Sequence, residues 1–287
     1  MTGYRDLVEG SACVVLDRDV LRVAGPDAEA YLQGQVSQDV VALGTGASAW
    51  TLVLQPQGRI DAWARVTRVA GDEFVLDTDG GAGEALVARL LRFRLRAKAG
   101  VEPLDWACVA VRGPSAAPTV RTGAVVARAE WPLVGGWDLL GPSAAPVDGV
   151  PEASADAYEV RRIEAGLPRM GAELTERTIP EEAGIVAVSA SFTKGCYTGQ
   201  ELVARIDSRG GHVPRHLRRV TLPAGAAVPP PGADVDVDGR PRGTVTSAAR
   251  HPDGHVVALA YLARDVVVPA AGRCLGAPAT IEALPTA

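Results

Sequence analysis

The chain has 287 residues, 47% of them apolar and 22% charged, with 34 acidic against 29 basic residues and a net charge of −5. That balance belongs to a folded globular protein and excludes a disordered or collagen-like chain; the acidic sign argues against a protein that wraps duplex DNA. The basic residues are 27 arginines and two lysines, Lys98 and Lys194.

Short strands at 13–16 and 20–23 flank a turn at Asp17-Arg18-Asp19. Gly25-Pro26-Asp27 opens a helix that carries Ala28, Tyr31 and Leu32 and stops near Gly34. Residues 50–54 read as a strand ended by the turn Gln55-Pro56-Gln57-Gly58. Residues 60–69 and 73–77 read as a hairpin across Gly71-Asp72, and 83–93 as a helix with Leu86, Leu90 and Phe93 at helical spacing. From 94 to 101 the pattern alternates. It predicts a strand with Leu95, Ala97, Ala99 and Val101 on one face and Arg94, Arg96 and Lys98 on the other. That basic face is either solvated or an attractor of anions. Residues 106–140 read as further strands and 142–152 as a loop. A helix over 153–165 is capped by Ser154 and closed by Gly166. After Gly211, strand signals alternate with the turns Pro229-Pro230-Pro231-Gly232, Asp238-Gly239 and Asp253-Gly254. Five or six short strands predict a small β-barrel or sandwich, with the change of character near Arg215.

Cys13, Cys108, Cys196 and Cys274 are far apart and form no Cys-x-x-Cys pair. With no secretory pattern at the start and no apolar run of about 18 residues, the expectation is a soluble cytoplasmic protein with no membrane partner. His212/His216 and His251/His255 have the spacing of helical metal ligands, but Pro214 and Pro252-Asp253-Gly254 oppose a helix at both places. No metal site is therefore expected, and the scattered cysteines offer no cluster ligand set.

The most informative segment is Lys194-Gly195-Cys196-Tyr197-Thr198-Gly199-Gln200-Glu201. Thr198-x-x-Glu201 before Leu202, Val203 and Ile206 reads as a capping box, which places Cys196 two residues ahead of a helix cap. There the helix dipole favours a thiolate, and Lys194 would add to the effect. Gly195 and Gly199 let the backbone approach a ligand closely. Residue types alone equally allow a buried apolar cysteine, turn-shaping glycines and a solvated lysine. Glu164 lies on the apolar arc of its helix with Ala157, Val160 and Ile163, so it needs a partner, either a neighbouring arginine or a ligand.

The eight-residue segment resembles the signature of the YgfZ family of folate-binding proteins, a branch of the group that includes the glycine-cleavage T-protein, an aminomethyltransferase. Support comes from the blocks around Pro26-Asp27 to Asp39, Gln57-Gly58-Arg59-Ile60, Arg162-Ile163-Glu164-Ala165-Gly166, Ile179-Pro180, Gly243 to Ser247 and Ala258 to Leu262. The resemblance implies an α+β fold. Two intertwined ferredoxin-like subdomains in residues 1–212 would surround a folate channel, with a β-barrel in 213–287. It implies tetrahydrofolate as cofactor, with Glu164 on the pterin and Gln200, Tyr197, Gly195 and Gly199 nearby. Cys196 would be the thiol group, assisted by Lys194, and Asp61 an acid near the reacting carbon.

Two departures stand out. T-proteins carry an Asp-Asp pair where this chain has Asp61-Ala62, and an Arg where it has Gln200. Both weaken a glycine-cleavage activity. The implied role is support of iron–sulfur enzymes, including tRNA-modifying ones, as client partners. Direct tRNA or DNA contact is not expected. The alternative is a folate-dependent one-carbon transferase. The two lysines matter here: in a chain that otherwise uses Arg, Lys194 suggests a site needing a compact ammonium.

Overall fold

The structure is a computed structural model that describes residues 1–113 and 123–285. In chain order the first elements are α1 (Tyr4–Glu9), β1 (Ala12–Leu16), β2 (Arg18–Ala24), α2 (Ala28–Gln35), β3 (Ser48–Leu54), β4 (Ile60–Ala70), β5 (Glu73–Asp79) and α3 (Gly83–Phe93). Next come β6 (Gly100–Leu104), β7 (Ala107–Arg112), β8 (Val125–Ala129), β9 (Gly136–Gly141) and α4 (Ala155–Glu164). A 3-10 turn (Pro180–Ala183), α5 (Val186–Ser189) and α6 (Gln200–Ser208) precede six strands. These are β10 (Arg215–Leu222), β11 (Asp234–Val237), β12 (Arg240–Arg250), β13 (Val256–Ala263), β14 (Ala270–Cys274) and β15 (Ala277–Glu282).

Strands of the first part form two antiparallel sheets, ordered β3-β4-β5-β2-β6 and β1-β7-β9-β8. The last six close into a barrel ordered β10-β13-β12-β11-β14-β15. The fold is the expected α+β arrangement with a C-terminal β-barrel, and the Asp238-Gly239 hairpin turns through two positive φ angles, 53° and 74°.

Strand alternation decides which side chains meet. Along β4, Ala62, Ala64 and Val66 point into a core with Leu32 of α2 and Leu86 and Leu90 of α3. Trp63, Arg65 and Thr67 point the other way and are equally buried. Both faces of this sheet are therefore covered: helices on one, the second sheet on the other, where Val20 and Val75 meet Cys108, Ala127 and Leu140. A sheet buried on both sides must put any inward charge into a dry space.

The alternating stretch over 94–101 does not form a strand. Arg94 remains helical at the end of α3, the Ala97 N–H closes a turn back to the Arg94 carbonyl, and pairing begins only at Gly100. Leu95 adopts φ 48° and is 88% exposed. One left-handed residue breaks the period of two, so Arg94, Arg96 and Lys98 share no strand face. The Lys98 N–H instead donates to Asp27 (2.7 Å), pinning the start of α2.

Candidate functional site

The inner faces of the two sheets and α4 enclose a cavity of about 300 Å³. One wall is aromatic. Trp50 and Trp63 stack with centroids 4.1 Å apart and planes at 15°, and Trp131 meets Trp63 edge-on at 5.8 Å. The Trp63 N–H donates to Ser189 Oγ (2.8 Å) and the Trp131 N–H to the Ala165 carbonyl (3.0 Å). The Trp50 N–H is buried without a protein acceptor, and a buried donor left unpaired costs about 1–3 kcal/mol. The rest of the lining is charged and includes Arg18, whose guanidinium lies 5.8 Å from the Trp50 ring centroid, with Asp79, Arg112, Asp138, Glu159 and Arg162.

Four of these residues, Arg18, Asp79, Arg112 and Asp138, join Arg65 and Asp77 in a buried ion network. Arg65 donates to both carboxylate oxygens of Asp77 (3.0 Å each) and to Asp138 (2.6 Å). Arg18 reaches Asp77 (2.6 Å) and Asp79 (2.8 Å), and Arg112 lies 2.8 Å from Asp138. Burial alone would push the Asp138 carboxyl up. Arg112 and Arg65 outweigh it and hold it well below the usual carboxylate range. For Arg18, burial works against the cation, and Asp77 and Asp79 more than restore it. Removing any one member leaves its partner charged in a low-dielectric space. Sequence reasoning missed Arg65 and Asp138. The signal was there: each is a charge inside a run otherwise apolar, Ala62-Trp63-Ala64-Arg65-Val66 and Trp137-Asp138-Leu139-Leu140.

The signature segment lies beside the cavity and not in it. The Lys194 ammonium donates to the carbonyls of Gln33 (2.6 Å), Val36 (2.7 Å) and Gln38 (2.9 Å). These carbonyls lie in the last turn of α2 and just past it, where a cation is favoured. All three ammonium protons are thereby used, and none is left for a thiolate. Burial pushes this lysine down to about 8, and Asp39 acts in the opposite direction. Cys196 is exposed, whereas Cys13, Cys108 and Cys274 are buried.

The predicted capping box does not form. Gly199, at φ 81°, is the N-cap of α6, and no side chain caps the helix. Thr198 sits one residue too early to reach the free N–H groups, and Cys196 lies three residues ahead of the cap. Glycine is required at this point. A Cβ on Gly199 would stand 2.4 Å from the Gln55 carbonyl, and one on Gly58 would stand 2.5 Å from Leu202 Cβ. The two glycines thus lock the signature onto the turn between β3 and β4. Gln200 folds the loop back by accepting the Tyr197 N–H (3.1 Å). Tyr197 is buried in the same apolar cluster as Trp63, so the loop and the cavity share a wall.

Asp61 accepts from Arg89 Nε (2.9 Å), and Arg89 also reaches the Leu54 carbonyl (3.2 Å). Asp61, Lys194, Tyr197, Gly199 and Gln200 therefore gather around the end of α2 and the β3–β4 turn, with Cys196 and Gly195 on the exposed side. None of them is among the residues that line the cavity. Glu164 stands apart. Its carboxylate accepts from Tyr4 (2.9 Å) and Arg161 (2.8 Å), so the partner its apolar position demands includes a neighbouring arginine. His251 Nε2 is 3.4 Å from the same carboxylate.

The GCVT N-terminal domain family matches residues 17–132. The crystal structure of the glycine cleavage system aminomethyltransferase T from Bartonella henselae superposes with a TM-score of 0.82, over 98% of this chain and 88% of that one, at 19% identity. Domain match and fold together define a GcvT-like protein. An uncharacterized protein of Haemophilus influenzae is 30% identical over 195 residues, 67% of each chain. The tRNA-modifying protein YgfZ of Cronobacter sakazakii is 28% identical over 272 residues, 85% of this chain and 82% of that one. An iron–sulfur cluster assembly factor IBA57 homolog of Pyricularia oryzae is 30% identical over 210 residues, 67% of this chain and 53% of that one. The chain belongs to the YgfZ type within the GcvT-like family. Among the described residues, no helix is long and apolar enough to cross a membrane.

Proposed function

We propose that this chain binds tetrahydrofolate in the central cavity and supports the assembly or repair of iron–sulfur enzymes, including those that modify tRNA, with Cys196 as its reactive thiol. The observation that carries the folate reading is the cavity's pairing of an aromatic wall, which includes the unpaired Trp50 N–H, with a charged one. A pterin is flat, stacks on indole and offers donors and acceptors at its edge; its glutamate tail is an anion suited to arginine. Trp50 and Trp131 would take the ring, Asp79 or Glu159 would exchange part of its pairing with Arg18 or Arg162 for the amino edge, and Arg169 would take the tail. Glu164 is not among the residues that line this cavity and is left out of this assignment.

The client role rests on the likeness to YgfZ and to the iron–sulfur cluster assembly factor homolog, and on the exposed cysteine in a loop that the Lys194 tripod and the Gly199–Gly58 contact hold in place. A thiol presented to solvent on a fixed loop suits reaction with a protein partner or a small oxidant. The alternative, a one-carbon transferase, would need an acid facing the folate; Asp61, tied to Arg89, does not line the cavity, whereas Asp79, Asp138 and Glu159 do.

Calorimetric titration of the whole chain with tetrahydrofolate, with Trp fluorescence as a second readout, tests the reading. Saturable binding with quenching, weakened at least tenfold by Trp50→Ala, is expected. Absence of binding at sub-millimolar folate would sink the folate reading.

A further inference from the structure

Three potential metal ligands converge where α4 meets the barrel. One ligand atom each from Glu164, His251 and His255 lies within 4.8 Å of the others. The two histidines flank the turn between β12 and β13. The His251 N–H donates to the His255 carbonyl (2.9 Å), closing a hairpin that sets the two rings parallel, 4.2 Å apart and 21° between planes. A hairpin thus achieves what the helix-breaking Pro252-Asp253-Gly254 denied to i, i+4 spacing.

Asp253 orients both rings. Its Oδ1 lies 2.7 Å from His251 Nδ1 and 2.5 Å from His255 Nδ1. A carboxylate on Nδ1 makes that nitrogen the N–H donor and leaves the lone pair on Nε2. The Asp253 backbone N–H also approaches His251 Nδ1, but at 3.3 Å it is the weaker contact. The far side is then rich in acceptors. The single Tyr4 hydroxyl proton faces His251 Nε2 (2.7 Å) and both Glu164 oxygens (2.9 Å each). Arg161 answers one of those oxygens only (2.8 Å). The side chains of Glu164 and His251 are 15% and 14% exposed, so water gives this shortage limited relief.

We propose that Glu164, His251 and His255 bind a divalent transition ion of the zinc type, with Asp253 as the carboxylate that positions both imidazoles. Two imidazole nitrogens and one carboxylate oxygen are a borderline donor set that suits Zn²⁺, and a fourth position remains for water. The ion takes the place of the Tyr4 contact on His251 and cross-links α4 to the β12–β13 hairpin. It braces the α+β part against the barrel and stands apart from the folate cavity, so it does not depend on the folate reading.

The test uses the full chain after chelator treatment, titrated with Co²⁺ as a spectroscopic probe and then with Zn²⁺. One Co²⁺ per chain with visible d–d absorption, displaced by Zn²⁺, and a Tm raised by several degrees in excess Zn²⁺ are expected. His255→Gln, on a partly exposed hairpin residue, should abolish both signals, and Asp253→Asn should weaken affinity about 10–100-fold. His251→Gln is a second variant of the same kind. Three outcomes overturn the proposal: no saturable Co²⁺ binding at sub-millimolar concentration; unchanged binding in His255→Gln; or a thiolate-to-cobalt charge-transfer band, which places the ion on cysteine.

Discussion

Replacing Lys194 by arginine tests how the signature loop is held. Three carbonyls, of Gln33, Val36 and Gln38, converge within 2.6–2.9 Å of one nitrogen. An ammonium points three N–H groups at them as a tripod; a guanidinium is planar and bulkier and cannot. Lys194→Arg should therefore destabilise the protein by about 1–3 kcal/mol through misfit in a packed site. Lys194→Met leaves the carbonyls unmatched. Each buried orphan costs about 1–3 kcal/mol, and partial solvent access at this half-buried site reduces the sum, so about 2–4 kcal/mol overall is expected.

Urea unfolding measures both. The pH dependence carries a second signature. Burial lowers Lys194 to about 8 in the fold, against an ordinary value of 10.5. Between those values the unfolded chain holds more protons, so this residue makes stability rise with pH across that window, and the Met variant should lack the rise. If both variants unfold within about 0.5 kcal/mol of the parent, the tripod is not structural and the argument fails. If Lys194 served Cys196 instead, Lys194→Arg would leave stability alone and change only the rate of thiol modification.

The dry network gives another expectation. Asp138→Asn should cost about 3–5 kcal/mol, because Arg65 and Arg112 lose a countercharge in a buried site. Since the folded Asp138 carboxyl is depressed, its stabilisation is present above the usual carboxylate range and lost as pH falls below about 4. The variant should show a flatter acid limb in a pH titration of unfolding, and an unchanged acid midpoint would contradict the assignment. Cys196 is the exposed member of four cysteines. A thiol reagent should label one cysteine quickly in the folded chain and the other three only on unfolding, and peptide mapping that finds Cys13, Cys108 or Cys274 labelled first would refute the burial pattern.

Much of the fold was legible because its signals are local. The hairpin of β4 and β5, the helix with Leu86 and Leu90, the Ser154 cap and the barrel's strand-and-turn rhythm all rest on spacing within a dozen residues. Local reading failed where backbone geometry overrode side-chain pattern. Leu95 turns left-handed, so the basic residues around it share no face, and Gly199 takes the cap that the Thr198-x-x-Glu201 spacing predicts for Thr198. The signature itself was legible as a motif, but its lysine's targets lie about 160 positions earlier, at the end of α2 and just past it.

The sequence by itself determined the class of fold, the loop that carries Cys196, and the oddity of one lysine where arginine is the rule. It could not determine which residues face one another across the cavity, because period-two alternation says that a side chain points inward and not what it meets there. Tertiary structure decided that Arg65 meets Asp77 and Asp138, that Glu164 meets Tyr4 and Arg161 outside the cavity wall, and that His251 and His255 share a hairpin beside it. Those meetings join segments far apart in sequence, and their energies depend on burial, which exists only once the sheets, helices and barrel have closed around them.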